Sequence, residues 1–214
     1  MYIAIEGVIG VGKTSLARLL QESLDARLVL EAFEENPFLS DFYSDPDRYA
    51  FQTQIFFLLS RYRQQREMAG VDLRASTVLA DYTFQKDALF AQLNLKGDEL
   101  DTYHEVHRAL AERIPDPDLI VYLQVSTDMA MKRITMRDRP YERQMSRAYI
   151  ERLNQAYEDY FRATNRSGIL TIDSASRDCV ARPEHLDRIE NRIREALGIA
   201  PFHPQLPIEG GAKP

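Results

Sequence analysis

The run Gly7-Val8-Ile9-Gly10-Val11-Gly12-Lys13-Thr14 fits G-x-x-x-x-G-K-[ST] without deviation, and its residue types suit a polyphosphate. Glycines permit backbone angles and close approach that side chains would block. Successive backbone N–H groups then line a concave anion nest at a helix N-terminus. In such a nest Lys13 neutralises the β- and γ-phosphates of a nucleoside triphosphate such as ATP, and the Thr14 hydroxyl ligates Mg²⁺. A glycine-rich turn with a chance lysine would not need flanking elements of a particular kind. Here an apolar run over 2–5 precedes the motif and a helical pattern over 13–24 follows it.

A phosphate loop does not by itself name a reaction, so the remaining acids and arginines must decide. In open α/β sheets ligands sit beyond the carboxyl ends of the strands. Glu31 follows Leu28-Val29-Leu30, and Asp81 follows Val78-Leu79-Ala80. Phosphoryl transfer needs one group to hold Mg²⁺ and another to orient or deprotonate the attacking oxygen. Asp81, after an apolar run, reads as the metal acid and Glu31 as the base, with the exchanged assignment left open. The bland reading of either is a helix cap or a solvated loop acid. Further on, Arg133 and Arg137 stand four apart and share a helical face, while Arg139 precedes Pro140, where a helix normally breaks. A charge run is usually a solvated helix end. Beside a phosphate loop, a short mobile segment with these arginines, about 133–145, reads instead as a lid that stabilises developing charge and excludes water.

Short apolar runs alternating with longer helical patterns position these groups, the signature of a parallel sheet with helices on both faces. The predicted strands are 2–5, 27–30, 77–80, 119–125 and 169–172; the first, third and fourth are nearly continuous apolar runs, as double-sided burial requires. Helices are predicted over 13–24, 47–68, 98–113 and 146–163. Leu186, Ile189, Ile193 and Leu197 mark a last one, with Gly198 at a left-handed cap. The second helix carries Phe51, Ile55, Leu58, Leu59 and Tyr62 at helical spacing. One domain over 1–200 is expected. The stretch 201–214, with four prolines and two adjacent glycines, is expected to be a flexible tail.

Composition narrows the class. An apolar share of 44% and a charged share of 28% are those of an ordinary globular chain. A net charge of -6 without a basic stripe argues against a nucleic-acid binder. Cys179 is the only cysteine, so neither a disulfide framework nor a zinc site is expected. No run approaches roughly 18 apolar residues, and residues 2–6 are too short for a secretory leader. A cytoplasmic protein without a membrane partner is the expectation.

Together these residues resemble the deoxynucleoside kinase family, and within it the bacterial purine deoxynucleoside kinases. The likeness spans roughly residues 1–175: the phosphate loop, Glu31, the turn Asn36-Pro37-Phe38-Leu39, the region from Tyr43 to Arg61, Asp81 to Asp87, and the arginine segment 133–142. It implies a P-loop NTPase three-layer α/β fold with a five-stranded parallel sheet flanked by helices and a short arginine-rich lid. It also implies roles. Glu31 takes the proton of the sugar 5′-hydroxyl, and Tyr43 with Glu142 holds the 3′-hydroxyl. Gln54, Arg61 and Asp87 read the nucleobase edge, and Arg133, Arg137 and Arg139 grip the triphosphate. Helical spacing agrees, since Gln54, Ile55, Leu58 and Arg61 share one side of their helix. Amide, guanidinium and carboxylate together offer donors and acceptors enough for a base. Phe33 and Phe84 are candidates to pack on the base faces, against simple core packing as the bland alternative.

One departure stands out. Many family members carry Glu-Arg-Ser or Asp-Arg-Ser at the third strand end, with the arginine beside the reacting oxygens; here the triplet is Asp81-Tyr82-Thr83. That role is vacant, or taken by Lys86 or a lid arginine. The Asp-Tyr variant resembles the deoxyguanosine kinase branch, which favours deoxyguanosine over deoxyadenosine as acceptor. The resemblance also implies a homodimer, with 47–68 and 98–113 as interface helices. Topology puts the donor's adenine near 173–182. A thymidylate-like kinase would need an arginine to clamp the acceptor phosphate near the second strand end, where Glu31-Ala32-Phe33-Glu34-Glu35 offers three acids and no base. A GTP-dependent switch would carry Asn- or Thr-Lys-x-Asp, and neither run occurs.

Overall fold

Five strands, β1 (Tyr2–Glu6), β2 (Ala26–Val29), β3 (Thr77–Ala80), β4 (Leu119–Gln124) and β5 (Ile169–Asp173), pair in parallel in the order β2-β3-β1-β4-β5. This computed structural model describes residues 1–68, 73, 75–164, 168–174 and 182–202. The register aligns Ala4 with Ala80 on one side and with Ile120 on the other. All five residues of β1 are buried, and the first four form the unbroken apolar run. The outer strands expose Arg27 and Thr171 to solvent.

The intervening helices are α1 (Lys13–Leu20), α2 (Leu39–Ser44), α3 (Pro46–Met68), α4 (Lys86–Asn94), α5 (Gly97–Ala111), α6 (Thr127–Arg137), α7 (Arg147–Ala163) and α8 (Pro183–Ala196). Successive residues of β1 serve different clusters, as a pleated strand dictates. Tyr2 and Ala4 join Val78, Ala80 and Met68, whereas Ile3 and Ile5 join Leu79 and apolar residues of α1, α6, α7 and α8. Away from the sheet, Phe42, Leu58, Phe84, Leu95 and Tyr103 form a third cluster among α2, α3, α4 and α5.

The three-layer α/β fold and all five predicted strands are present, with ends shifted by a residue. Differences lie in the helices. α1 stops at Leu20 and runs into turns that end at Asp25, whose φ of 46° is left-handed. α2, α4 and α6 are not among the predicted helices; the first two are six and nine residues long, too short for a periodic signal. Leu59 is exposed although it shares the apolar spacing of α3. Gly198 has the expected positive φ, 67°. Of the predicted tail, Pro201 and Phe202 are described, and the Phe202 N–H donates to Asn191 Oδ1 at 2.7 Å. Residues 203–214 and Cys179 lie outside the described residues. No helix among those described is long and apolar enough to cross a membrane.

Candidate active site

The phosphate loop joins the central strand to α1, and its glycines are required by space as well as by angle. Gly10 has φ +85°, and a Cβ there would meet Ala130 O at 2.7 Å; at Gly7, with φ +143°, it would meet Leu123 O at 2.5 Å. The loop is thus pressed against β4 and α6. Lys13 Nζ donates to the loop's own carbonyls, Gly7 O at 2.8 Å and Val8 O at 3.2 Å. Burial and then the like charge of Lys86 lower its ammonium to about 8, against the pull of Glu6, Glu31 and Asp81. Beneath the loop, buried Glu6 accepts from Thr83 N at 2.6 Å, Thr83 Oγ1 at 2.9 Å and the Tyr157 hydroxyl at 3.1 Å. It fixes the residues after β3 to the loop and to α7.

The two strand-end acids are joined through the backbone of Glu31. Asp81 Oδ1 accepts from the Glu31 backbone N–H at 2.8 Å, and Asp81 Oδ2 accepts from the Thr14 hydroxyl. Thr14 and Asp81 are therefore adjacent hard oxygen donors, a set that suits Mg²⁺. Among the described residues no group of three acidic, histidine or cysteine side chains could hold an ion. A magnesium ion here would take its remaining ligands from water and from bound phosphates, as it does at such sites.

Glu31, Lys13, Thr14, Tyr43, Gln54, Arg61, Asp81, Arg137, Arg139 and Glu142 all line one cleft of about 740 Å³, partly open to solvent. Ile9 and Gly10 of the loop border it too. Arg61 donates to Glu31 Oε1 through Nε at 3.0 Å and through Nη2, and Nη1 pairs with Asp87. Lys86 Nζ donates to Glu31 Oε2 at 2.8 Å. Burial pushes the Glu31 carboxyl up, but Arg61 and Lys86 more than reverse this and hold it well below the usual carboxylate range. Burial raises the Tyr43 hydroxyl far above its ordinary value, so it stays a hydrogen-bond donor. Gln54 is buried, and its amide makes no hydrogen bond among the described residues.

On the opposite wall α6 ends at Arg137, and Asp138 turns left-handed with φ 45°. Arg137 Nε donates to Glu142 Oε2 at 2.7 Å and Nη2 to Oε1. Arg139 lies 3.8 Å from Glu142 and rests its guanidinium 4.1 Å above the Phe33 ring. Phe33 therefore lines the cleft, as expected, with Tyr141 beside it at 6.1 Å between ring centroids.

Three expected positions fall elsewhere. Phe84 does not line the cleft; it is buried in the helical cluster and stacked on His107 at 4.8 Å. Its backbone belongs to the turn before α4, which aims the ring at α5. Asp87 is wholly buried behind Arg61 and reaches the cleft only through it. Arg133 is on the loop's other side, donating to Val11 O at 2.8 Å, Ser174 Oγ at 2.9 Å and Ser174 O at 2.9 Å. It is an anchor of α6 rather than part of a mobile segment. It borders a second groove with Gly12, Ser15, Met136, Ile172 and Ser174, next to where the donor's adenine was expected. Most of that expected stretch, 175–181, lies outside the described residues.

Sequence reasoning missed Glu6, Phe57 and Tyr141. Phe57 had a signal, since 54, 57 and 61 share a helix face. Glu6 had none, because Thr83 and Tyr157, the side chains it binds, come from distant parts of the chain. Tyr82, at the arginine position, turns away from the cleft and donates its hydroxyl to Gln64 Oε1 at 2.8 Å.

Residues 3–198 match the family model described as Deoxynucleoside kinase. A deoxyguanosine kinase of Bacillus subtilis is 32% identical over 92% of this chain and 97% of its own length. A deoxyadenosine kinase of Dictyostelium discoideum is 37% identical over 77% of this chain and 68% of its own. Among solved structures, a deoxyadenosine kinase from M. mycoides with dATP bound superposes with a TM-score of 0.80 at 26% identity. That likeness covers 91% of this chain and all of the other.

Proposed function

This chain belongs to the deoxynucleoside kinase family and is a deoxynucleoside kinase, and we propose that it is a Mg²⁺-dependent enzyme moving the γ-phosphoryl group of ATP or another nucleoside triphosphate to the 5′-hydroxyl of a purine deoxynucleoside. Deoxyguanosine is favoured over deoxyadenosine. The observation that carries the reading is a single cleft in which the phosphate loop, Glu31 and the buried Gln54–Arg61 face converge. Preference for deoxyguanosine draws support from the Asp81-Tyr82-Thr83 triplet and from the Bacillus subtilis relative.

In this reading Tyr43 and Glu142 hold the sugar, and Gln54 with Arg61 faces the base edge. Glu31 orients the 5′-hydroxyl and takes its proton. A carboxylate held so acidic is a weak base, yet phosphoryl transfer passes through a loose transition state in which that proton leaves late. Late proton loss and fixed position together make so weak a base sufficient. Lys13 leaves the loop carbonyls for the β- and γ-phosphates, and Arg137 and Arg139 close on the transferring group. Thr14 and Asp81 would hold Mg²⁺, which would supply positive charge against the charge that develops on the transferring phosphoryl group. Three acids at 31–35 repel an acceptor that already carries a phosphate. The domain over 1–200, the lid, a cytoplasmic setting and a homodimer through α3 and α5 belong to the same reading.

Steady-state assays with ATP and Mg²⁺ should compare deoxyguanosine, deoxyadenosine, deoxycytidine and thymidine, with dGMP and dTMP alongside. Turnover of purine deoxynucleosides, deoxyguanosine first, is expected, with a loss of about 1,000-fold in kcat for Glu31→Gln. Reaction of the monophosphates alone would overturn the acceptor site, and an unimpaired Glu31→Gln would overturn the base.

A further inference from the structure

Lys86 is the one buried cation lining the cleft, among the described residues, to which the mechanism above gives no task. Its backbone is fixed: the Lys86 N–H donates to Thr83 Oγ1 at 3.3 Å, and Thr83 is itself held by Glu6. Only the side chain is left to move. Its ammonium is 2.8 Å from Glu31 Oε2 and 5.3 Å from the centre of the Phe90 ring. It lines the same cleft as Lys13. Two ammonium groups thus flank the place where the γ-phosphate must arrive, each resting on a protein acceptor that stands in for a phosphate oxygen.

Charge counting alone would make Lys86 a neutraliser, because Glu31 and Asp87 together balance Arg61 and Lys86. Geometry says more. Both Arg61 donors to Glu31 occupy Oε1, so Oε2 is the oxygen left for a substrate hydroxyl, and Lys86 covers it. The hydroxyl can reach Oε2 only when the ammonium turns aside. A four-carbon stem with rotatable donors can make that turn, and the nearest strong anion is then the transferring phosphoryl group.

We propose that Lys86 is a catalytic residue: a cation that yields Glu31 Oε2 to the substrate hydroxyl and follows the γ-phosphoryl group through transfer. The proposal rests on the kinase reading above. In the step, the 5′-oxygen bonds to the γ-phosphorus as the bond from that phosphorus to the β,γ-bridging oxygen breaks. The bridging oxygen keeps the electron pair, and the hydroxyl proton passes to Glu31. Lys86 keeps its own proton and contributes charge alone, where charge gathers on the phosphoryl oxygens. With Tyr82 turned away, it supplies the positive charge at the third strand end.

Wild-type turnover is measured first, since its absence would overturn the kinase reading itself. Lys86→Met should then lower kcat about 100-fold with KM for the deoxynucleoside little changed. It should also weaken binding of ADP, Mg²⁺ and aluminium fluoride in the presence of deoxyguanosine by a similar factor, while binding of ADP alone holds. The same loss of aluminium fluoride affinity is expected when Lys86→Met is placed in Glu31→Gln. If the loss disappears there, Lys86 acts only by neutralising Glu31 and the proposal is overturned; an unchanged kcat overturns it equally. Should Lys86→Met not fold, a crystal structure of the wild type with the same components decides. Nζ within hydrogen-bond reach of the fluoride supports the proposal, and Nζ still on Glu31 ends it.

Discussion

Arg61 on the cleft floor and Arg137 on its opposite wall make nearly the same contact, each donating through Nε and Nη2 to a glutamate. Their settings differ. The Arg61 side chain is 4% exposed and Arg137 is 34% exposed. Arg61 joins Glu31 after β2 to Asp87 on α4, elements far apart in the chain, whereas the partner of Arg137 is five residues on. On the floor, Arg61, Glu31 and Asp87 form a largely buried group held by contacts between distant elements, from which Lys86 alone can turn aside. The wall is local structure whose guanidinium stays within reach of water, so that a phosphate can compete for it with the buried Glu142 carboxylate, which keeps Arg139 at 3.8 Å. Preorganisation belongs to the acceptor side and rearrangement to the side that must admit and release a triphosphate.

Arg61→Met gives the sharpest test of that contrast. It strands Asp87 without a counter-charge, and chemical denaturation should show a loss of about 3–5 kcal/mol. A loss no greater than that of an exposed-site change would mean that the floor is not the rigid half. Arg137→Ala should weigh the other way, with kcat reduced about 100-fold and a smaller loss of stability than Arg61→Met, because Arg139 stays near Glu142. Destabilisation comparable to Arg61→Met would erase the distinction between floor and wall. Gln54→Leu keeps the volume and removes the amide. Its expected effect is a fall of roughly tenfold in kcat/KM for the preferred purine, read against a smaller fall for the other. Arg139→Ala comes last: it removes a half-exposed guanidinium from the Phe33 ring and should change stability by less than about 1 kcal/mol, with activity reduced severalfold. An effect as large as that of Arg137 would show both arginines acting as one clamp.

Much of this site could be read from local pattern. The phosphate loop declares itself because its chemistry is backbone chemistry, and glycine spacing is visible in one dimension. Glu31 and Asp81 were found by the rule that ligands gather at strand ends, and the structure sets them in contact through the Glu31 N–H. Phe84 was read as a ring for the base because an aromatic beside a strand end has no label saying which way it points. The turn before α4 sends it to His107. Arg133 shares a helix face with Arg137, yet one guanidinium reaches Ser174 at the end of β5 while the other reaches Glu142. No spacing rule separates them, since their partners lie on different elements.

The sequence by itself determined the order of strands and helices along the chain, the phosphate loop, and the acids at the two strand ends. Each depends on a period or a motif a few residues long. Tertiary structure alone decided that Glu6 lies beneath the loop, that Arg61 spans Glu31 and Asp87, and that Lys86 covers the free oxygen of Glu31. Buried charges must find partners wherever the fold supplies them, and those partners here stand 26 to 151 residues away in the chain.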